Sequence, residues 1–218
     1  MEDIALESAK LIAIDQVSEL VINQLRSEGV YSLDNSPYVL MNMLLVSSQS
    51  GINNIKSILA CQKKVKRTVV VLIDPELQVQ EDLGIDSVVS FSNKDAFYNE
   101  FKNFLSLIRH NVEIHGLISF DFNDFFSMIK GRCVLSIRTC GYTENISEAL
   151  TELQHMLFPK DAYFLLSFTI EQYNPKTIEK DLELISNFMD CFPEESSVYW
   201  NFNEMPSKEV TLFISKQI

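Results

Sequence analysis

With 218 residues, 46% of them hydrophobic and 22% charged, the chain has the composition of a soluble globular protein that can bury one good core, or one and a half domains. Its 18 basic and 30 acidic residues give a net charge of −12. This balance argues against a nucleic-acid partner or an anionic membrane surface, because few side chains could neutralise phosphates. No apolar run approaches the ~20 residues that span a bilayer.

Cysteine and histidine usage further narrows the class of protein. The four cysteines form no CxxC pair and no dense framework, so they are predicted to be free thiols in a reducing cytosol. The three histidines form no HxxxH or HExxH pattern, and no metal site is predicted. The acidic start of the sequence is unlike a signal peptide, so a cytoplasmic location is expected.

Short apolar strands and amphipathic helices alternate through the first 92 residues. Strands are predicted at residues 11–15, 38–46, 68–73 and 87–91. The first helix is predicted to end at Gly29 and to place on its apolar face Val17, Leu20, Val21 and Leu25. The second is predicted from the spacing of Ile52, Ile55, Ile58 and Leu59. This alternation favours a parallel sheet with right-handed crossovers.

A long helix is predicted from residue 93 to about residue 113, because apolar residues recur there at helical spacing: Phe97, Phe101, Phe104, Leu105, Ile108 and Val112. Strands are then predicted at 133–137, 162–169, 198–202 and 210–214. The helices between them have apolar faces at Ile146, Ala149, Leu150, Leu153 and Leu157, and at Ile178, Leu182, Ile185 and Met189. The short link through Pro206 indicates that the last two strands are antiparallel.

Residues 116–124, which read GLISFDFND, are the most informative part of the sequence. They place Asp121 and Asp124 three residues apart, where an apolar run gives way to a helix. This stretch resembles the synergy loop of FtsZ, the tubulin-like division GTPase, which reads roughly Gly-Leu-Ile-Asn-hydrophobic-Asp-Phe-x-Asp. In that family the loop acts on GTP held by the next subunit of a filament. The resemblance implies a vestigial partner-binding loop at Ser119, Asp121 and Asp124, with Ser119 in the place of the family's Asn.

Later segments resemble the same family in order and spacing, including FLLSFT at residues 164–169 and EVTLFI at residues 209–214. The resemblance implies an α/β fold of the tubulin/FtsZ-like kind: a parallel Rossmann-like sheet, a central helix and a second, smaller α/β domain. It places a truncated nucleotide-binding-type domain at residues 1–92, the connecting helix at 93–115 and an FtsZ C-terminal-type domain at 116–218. Asn93 and Asp95 fall where the family contacts its guanine nucleotide.

The phosphate-binding glycine loops of the family have no counterpart in this sequence. The stretch that would correspond to Gly-Gly-Gly-Thr-Gly-Thr-Gly reads SSQSGINN at residues 47–54, and the whole chain has six glycines. A phosphate cradle needs several backbone N–H groups aimed at one anion, and glycine permits those angles. The family's first strand and its glycines would lie at or before Met1. No cofactor is therefore expected, GTP included, and no catalytic residue is assigned.

These features together predict a non-catalytic FtsZ-like protein, a pseudo-GTPase in cell division. It would act through protein contacts and cap or regulate FtsZ-type filaments, or associate with itself. One alternative is a weak guanine-nucleotide-binding enzyme that a partner chain completes. Another is a structural or assembly protein that keeps only the fold.

Local structure offers a simpler interpretation of the same residues. An aspartate directly before a helix is a favoured N-cap, and an acid in the first turn suits the helix dipole, which would explain Asp121 and Asp124. Asn93 is likewise a candidate helix cap. Trp200 and the phenylalanines are typical of a hydrophobic core.

Overall fold

The computed structural model describes residues 8–32, 39–61, 65–80, 83–113, 120–172 and 174–218. Strands and helices alternate along most of this chain. In order they are β1 (Ala9–Ala13), α1 (Gln16–Ser27), β2 (Met41–Val46), α2 (Gln49–Ala60), β3 (Arg67–Leu72), β4 (Ser87–Phe91), α3 (Phe97–Ile108), a π-helical turn (Arg109–Glu113), α4 (Phe122–Ile129), β5 (Gly131–Gly141), α5 (Ile146–Leu153), β6 (Ala162–Ile170), α6 (Pro175–Met189), β7 (Ser197–Glu204) and β8 (Glu209–Gln217).

All eight of these strands belong to one sheet, in the order β1-β2-β3-β4-β5-β8-β6-β7. Strands β1 to β5 are parallel, β8 is antiparallel to both β5 and β6, and β6 and β7 are parallel. The α/β class and the parallel sheet of the first 92 residues are confirmed. Strands β7 and β8 run in opposite directions, as expected, but β6 lies between them. The division of the chain into three parts at residues 92 and 115 stays a prediction.

Helices α1 and α2 lie on opposite faces of the sheet. On one face α1 packs Ile22 and Leu25 against β1 and β2, and on the other α2 packs Ile52 and Ile55 against β2 and β3. Because β1, β2 and β3 follow one another in a single direction across the sheet, the two crossovers have opposite hands. The expectation that both are right-handed is wrong for one of them.

The apolar face of α1 is rotated from the predicted one. Val17 is 49% exposed and Leu20 is 63% exposed, whereas Ser18, Ile22 and Leu25 are buried. Ser18 faces inward because its hydroxyl accepts hydrogen bonds from the backbone N–H groups of residues 14 and 15. The prediction for α5 also fails at one position, since that helix ends at Leu153 and Leu157 is exposed.

The central helix is shorter than predicted. It begins at Phe97 and ends at Ile108, and the π-helical turn continues it to Glu113. Its predicted apolar stripe is confirmed, because Phe97, Phe101, Phe104, Leu105 and Ile108 are all buried. Phe104 stacks on Phe213 of β8, so the helix packs against strands of both halves of the sheet.

Polar side chains also lie at the end of the central helix. His110, in the π-helical turn, is half-buried. Burial, together with the neighbouring positive charge of Arg109, lowers its pKa to about 4. Asn111 is buried, and its amide donates to the carbonyl of Leu107 and to the hydroxyl of Ser167.

In the described ranges, no helix is long and apolar enough to cross a membrane. Over the same ranges, no group of three or more histidine, cysteine or acidic side chains could hold a metal ion.

Candidate functional site

The loops that follow β1 and β2 meet at one edge of the parallel sheet, here named the carboxyl edge. Ligands of open α/β sheets bind at this edge, where neighbouring strands send their helices to opposite faces. Helices α1 and α2 diverge in this way directly after β1 and β2. The space between their first turns, formed by Asp15, Ser47, Ser48 and Gly51, is therefore the candidate site and is named the β1–β2 crevice.

The carboxylate of Asp15 occupies the β1–β2 crevice. One oxygen accepts hydrogen bonds from the Ser18 backbone N–H at 3.1 Å and the Ser47 hydroxyl at 2.9 Å. The other accepts from the Ser47 backbone N–H at 2.8 Å and the Ser48 hydroxyl at 3.1 Å. Burial acts to raise the pKa of Asp15, but the hydrogen bonds from Ser47 and Ser18 outweigh it, and the pKa lies below its ordinary value. A carboxylate of the chain itself thus caps α1 and accepts hydrogen bonds from the two residues that precede α2.

Gly51 allows the first turn of α2 to approach Asp15. A Cβ atom at this position would lie 2.7 Å from the Val46 side chain and 3.0 Å from the Asp15 carboxylate. Ser48 is the N-cap of α2, and its hydroxyl accepts the Gly51 N–H at 3.2 Å while donating to Asp15. The one glycine of the 47–54 stretch therefore serves close packing around a carboxylate.

Asn93 and Asp95 lie at the same carboxyl edge, after β4. The Asn93 side-chain oxygen accepts the backbone N–H of Asp95 at 3.0 Å and of Ala96 at 3.4 Å, so it closes the turn that leads into α3. The N-cap position itself is Ala96, which makes no side-chain cap. Between them, Lys94 reaches Asp74 after β3, with 2.6 Å between the ammonium and the carboxylate. The nucleotide contact of Asn93 and Asp95 stays a prediction.

Asp121 and Asp124 form a reciprocal cap at the start of α4. Asp121 accepts the backbone N–H groups of Asn123 at 2.6 Å and Asp124 at 3.0 Å, and Asp124 accepts the N–H of Asp121 at 3.1 Å. The hydrogen bonds from Asp124 and Asn123 lower the pKa of Asp121. The helix-cap interpretation is confirmed, and a partner-binding role stays a prediction. Ser119, the third residue of the predicted loop, lies outside the described residues.

The start of α4 lies at the opposite, amino edge of the parallel sheet. Lys66, directly before β3, donates to the side chain of Asn123 at 3.0 Å, and its ammonium is 5.1 Å from the centre of the Phe122 ring. Asp121 and Asp124 lie near the amino end of β3, whereas Asn93 and Asp95 follow the carboxyl end of the parallel strand β4. These strands are six and five residues long, so the two pairs of residues are about 20 Å apart. The structure therefore does not bring the two predicted sites together in one chain.

Sequence reasoning missed the β1–β2 crevice as a unit. The first predicted strand ends at an acid, Asp15, and residues 47–54 were compared with a glycine loop, but the two were not connected. The signal that could have connected them is that neighbouring parallel strands end at the same edge, so an acid after one strand and hydroxyls after the next come together.

Comparisons with known proteins find similarity of fold. No protein-family model matches the chain, and no curated protein matches it in sequence. The solved structure of CetZ2 from Haloferax volcanii, a GTPγS-bound protofilament, is 10% identical with a TM-score of 0.48. The match covers 94% of this chain and 73% of the CetZ2 chain. The empty FtsZ dimer of M. jannaschii is 12% identical with a TM-score of 0.40, and the match covers 95% of this chain and 62% of the FtsZ chain.

A third similar structure is the GDP-form protofilament of TubZ from Bacillus thuringiensis serovar israelensis. It is 7% identical with a TM-score of 0.48, and covers 89% of this chain and 64% of its own. The fold is α/β and similar to that of FtsZ- and tubulin-like proteins. The likeness concerns the path of the chain alone and says nothing of the β1–β2 crevice or of the acids at α4.

Proposed function

We propose that this protein is an FtsZ-like protein without GTPase activity, which acts by contacting other protein chains. The observation that carries this proposal is the Asp15 carboxylate in the β1–β2 crevice. A nucleotide's phosphates would need the N–H and hydroxyl groups of residues 18, 47 and 48, and Asp15 already accepts them.

The negative charge of Asp15 is a second obstacle to phosphate binding. A phosphate placed in the β1–β2 crevice would lie next to an ionised carboxylate whose pKa is lowered, so the carboxylate stays charged at neutral pH. Like charges a few ångströms apart repel by about 1 kcal/mol even in bulk water and by more near a protein surface. Among the residues that the structure describes, the hydrogen bonds to the Asp15 carboxylate come from Ser18, Ser47 and Ser48, and none of these carries a positive charge.

The position of the two predicted sites on opposite edges supports an action between chains. In a head-to-tail stack, the amino edge of one subunit meets the carboxyl edge of the next. A subunit with Asp121 and Asp124 at its amino edge could join the GTP-bearing end of an FtsZ-type filament. Its own carboxyl edge, filled by Asp15, would offer the next subunit no nucleotide. Such a subunit would cap or regulate the filament.

Nucleotide binding is tested first by titration calorimetry with GTP and magnesium. We expect no detectable heat of binding. Micromolar binding, which corresponds to about 8 kcal/mol, would contradict the proposal and favour a guanine-nucleotide-binding enzyme.

The partner contact is tested by sedimenting FtsZ filaments with GTP in the presence of this protein. Asp121→Ser removes the carboxylate but keeps a good N-cap, so folding should be retained. We expect wild type to change polymer mass, filament length or GTP turnover, and Asp121→Ser to lose that effect. Glu144→Ser, in the exposed loop before α5, removes one carboxylate elsewhere and should behave as wild type. No effect of wild type on any of the three readouts would overturn the capping role.

A further inference from the structure

A cleft of about 440 Å³ lies in the second half of the chain, at the carboxyl ends of β5 and β6. It is bounded by the first turns of α5 and α6 and by the residues that lead into β8. Clefts that hold small molecules in proteins have volumes of about 300–1,000 Å³. This cleft is therefore large enough to hold a small ligand, and its lining indicates what kind.

Three isoleucines and a tyrosine form the apolar part of the lining. Ile146 begins α5 and is 1% exposed, Ile170 ends β6 and is 7% exposed, and Ile178 of α6 is partly exposed. Tyr142 adds its aromatic ring, and its hydroxyl donates to the backbone carbonyl of Thr169 at 3.3 Å. A ligand in the cleft would therefore meet a continuous aliphatic and aromatic surface.

The charged part of the lining is mostly negative. Its carboxylates belong to Glu144, Glu171 and Asp181, and its ammonium group, among the described residues, is that of Lys208. This ammonium is already engaged, since it lies 3.7 Å from the Glu171 carboxylate and donates to the backbone carbonyl of Thr143 at 3.2 Å. The described lining therefore carries a net negative charge that Lys208 does not neutralise.

Asp181 is a partly buried acid of this lining, and its carboxylate makes no hydrogen bond or ion pair within the ranges that the structure describes. It lies beyond the first turn of α6, so compensation of the helix dipole does not explain it. Burial raises the pKa of Asp181. Burial also raises the pKa of Tyr142 to about 12, with contributions from the charges of Asp181 and Glu171. An unpaired carboxylate at such a position is unfavourable, so a cation that enters the cleft would be stabilised.

We propose that this cleft binds a small organic cation that carries an ammonium group on an aliphatic stem. The ammonium group lies against the carboxylate of Asp181, and the stem packs on Ile146, Ile170 and Ile178. The ring of Tyr142 offers the cation a further favourable contact. An alkyl diamine has this combination of charge and apolar surface, whereas the carboxylates would repel an anion. The site is separate from the β1–β2 crevice and needs neither nucleotide nor an FtsZ-type partner.

1,5-Diaminopentane tests the proposal, with 1,5-pentanediol as an uncharged molecule of the same length. Binding to wild-type protein is followed by backbone amide chemical shifts in NMR spectra at about 0.15 M salt, which screens exposed charges. We expect saturable binding of the diamine with a Kd at or below about 1 mM, and at least tenfold weaker binding of the diol. The largest shifts should fall at residues 142–146, 170–172 and 178–181.

Two variants that each remove one negative charge from α6 test the role of Asp181. Asp181→Asn keeps the size of the side chain and should weaken diamine binding about tenfold, with stability in urea retained because no hydrogen bond or ion pair is lost. Glu183→Gln changes an exposed acid of the same helix, outside the described lining, and should leave binding unchanged. No diamine binding by wild type up to about 10 mM would overturn the proposal. Equally tight binding of the diol, shifts spread over acids of the whole surface, or equal weakening by both variants would overturn it as well.

Discussion

Replacing Asp15 tests the organisation of the β1–β2 crevice directly. Asp15→Ala removes the N-cap of α1, which costs about 1 kcal/mol, and the acceptor for three groups of Ser47 and Ser48. Each such hydrogen bond contributes about 0.5–1.5 kcal/mol, and the two hydroxyls can turn to water. We therefore expect a loss of about 2–3 kcal/mol in the free energy of unfolding, measured by urea denaturation with an unchanged m-value.

Asp15→Asn removes the negative charge of the side chain while keeping its shape. Asparagine is as good an N-cap as aspartate, but it keeps only one accepting oxygen, so the loss should be about half that of Asp15→Ala. The native pKa of Asp15 is lowered, so its ionised form stabilises the fold above its unfolded pKa of about 4, and that part is lost as the pH falls through the native value. The difference between wild type and Asp15→Asn should therefore shrink in acid.

The effect of inorganic phosphate on the stability of Asp15→Ala tests whether Asp15 takes the place of a bound anion. If Asp15 occupies an anion position, phosphate at about 10 mM should restore part of the stability of Asp15→Ala and leave wild type unchanged. An Asp15→Ala protein within about 0.5 kcal/mol of wild type would refute the structural reasoning. A destabilised Asp15→Ala protein that phosphate does not rescue would refute the view that the carboxylate occupies an anion position.

Three further predictions concern stability. Gly51→Ala should cost about 1–3 kcal/mol in urea, because its Cβ would lie 2.7 Å from the Val46 side chain. Burial lowers the pKa of His110 to about 4, so stability should fall as the pH drops from about 6.5 towards 4. Because His110 is only half-buried, that loss should be about 1–2 kcal/mol, and His110→Gln should remove it. Burial raises the pKa of Glu100 to about 7, so stability should fall as the pH rises from about 4.5 through 7. Because Glu100 is half-exposed, that loss should be about 1 kcal/mol, and Glu100→Gln should abolish it.

Features set by neighbouring residues could be predicted from the sequence. The cap formed by Asp121 and Asp124 spans three residues, and the β-branched run of β3 is buried on both faces by the parallel sheet. The predicted apolar face of α1 is wrong because the Ser18 hydroxyl points inward and accepts hydrogen bonds from the backbone just before the helix. There, a hydrogen bond within one turn outweighed apolar periodicity.

Contacts between distant residues could not be predicted in the same way. Asp15 and Ser47 are 32 residues apart, and their hydrogen bonds depend on β1 and β2 being neighbours in the sheet. The insertion of β8 between β5 and β6 depends likewise on pairing across most of the second half of the chain. Apolar periodicity predicts which residues form a strand but carries no information on which strand lies next to it.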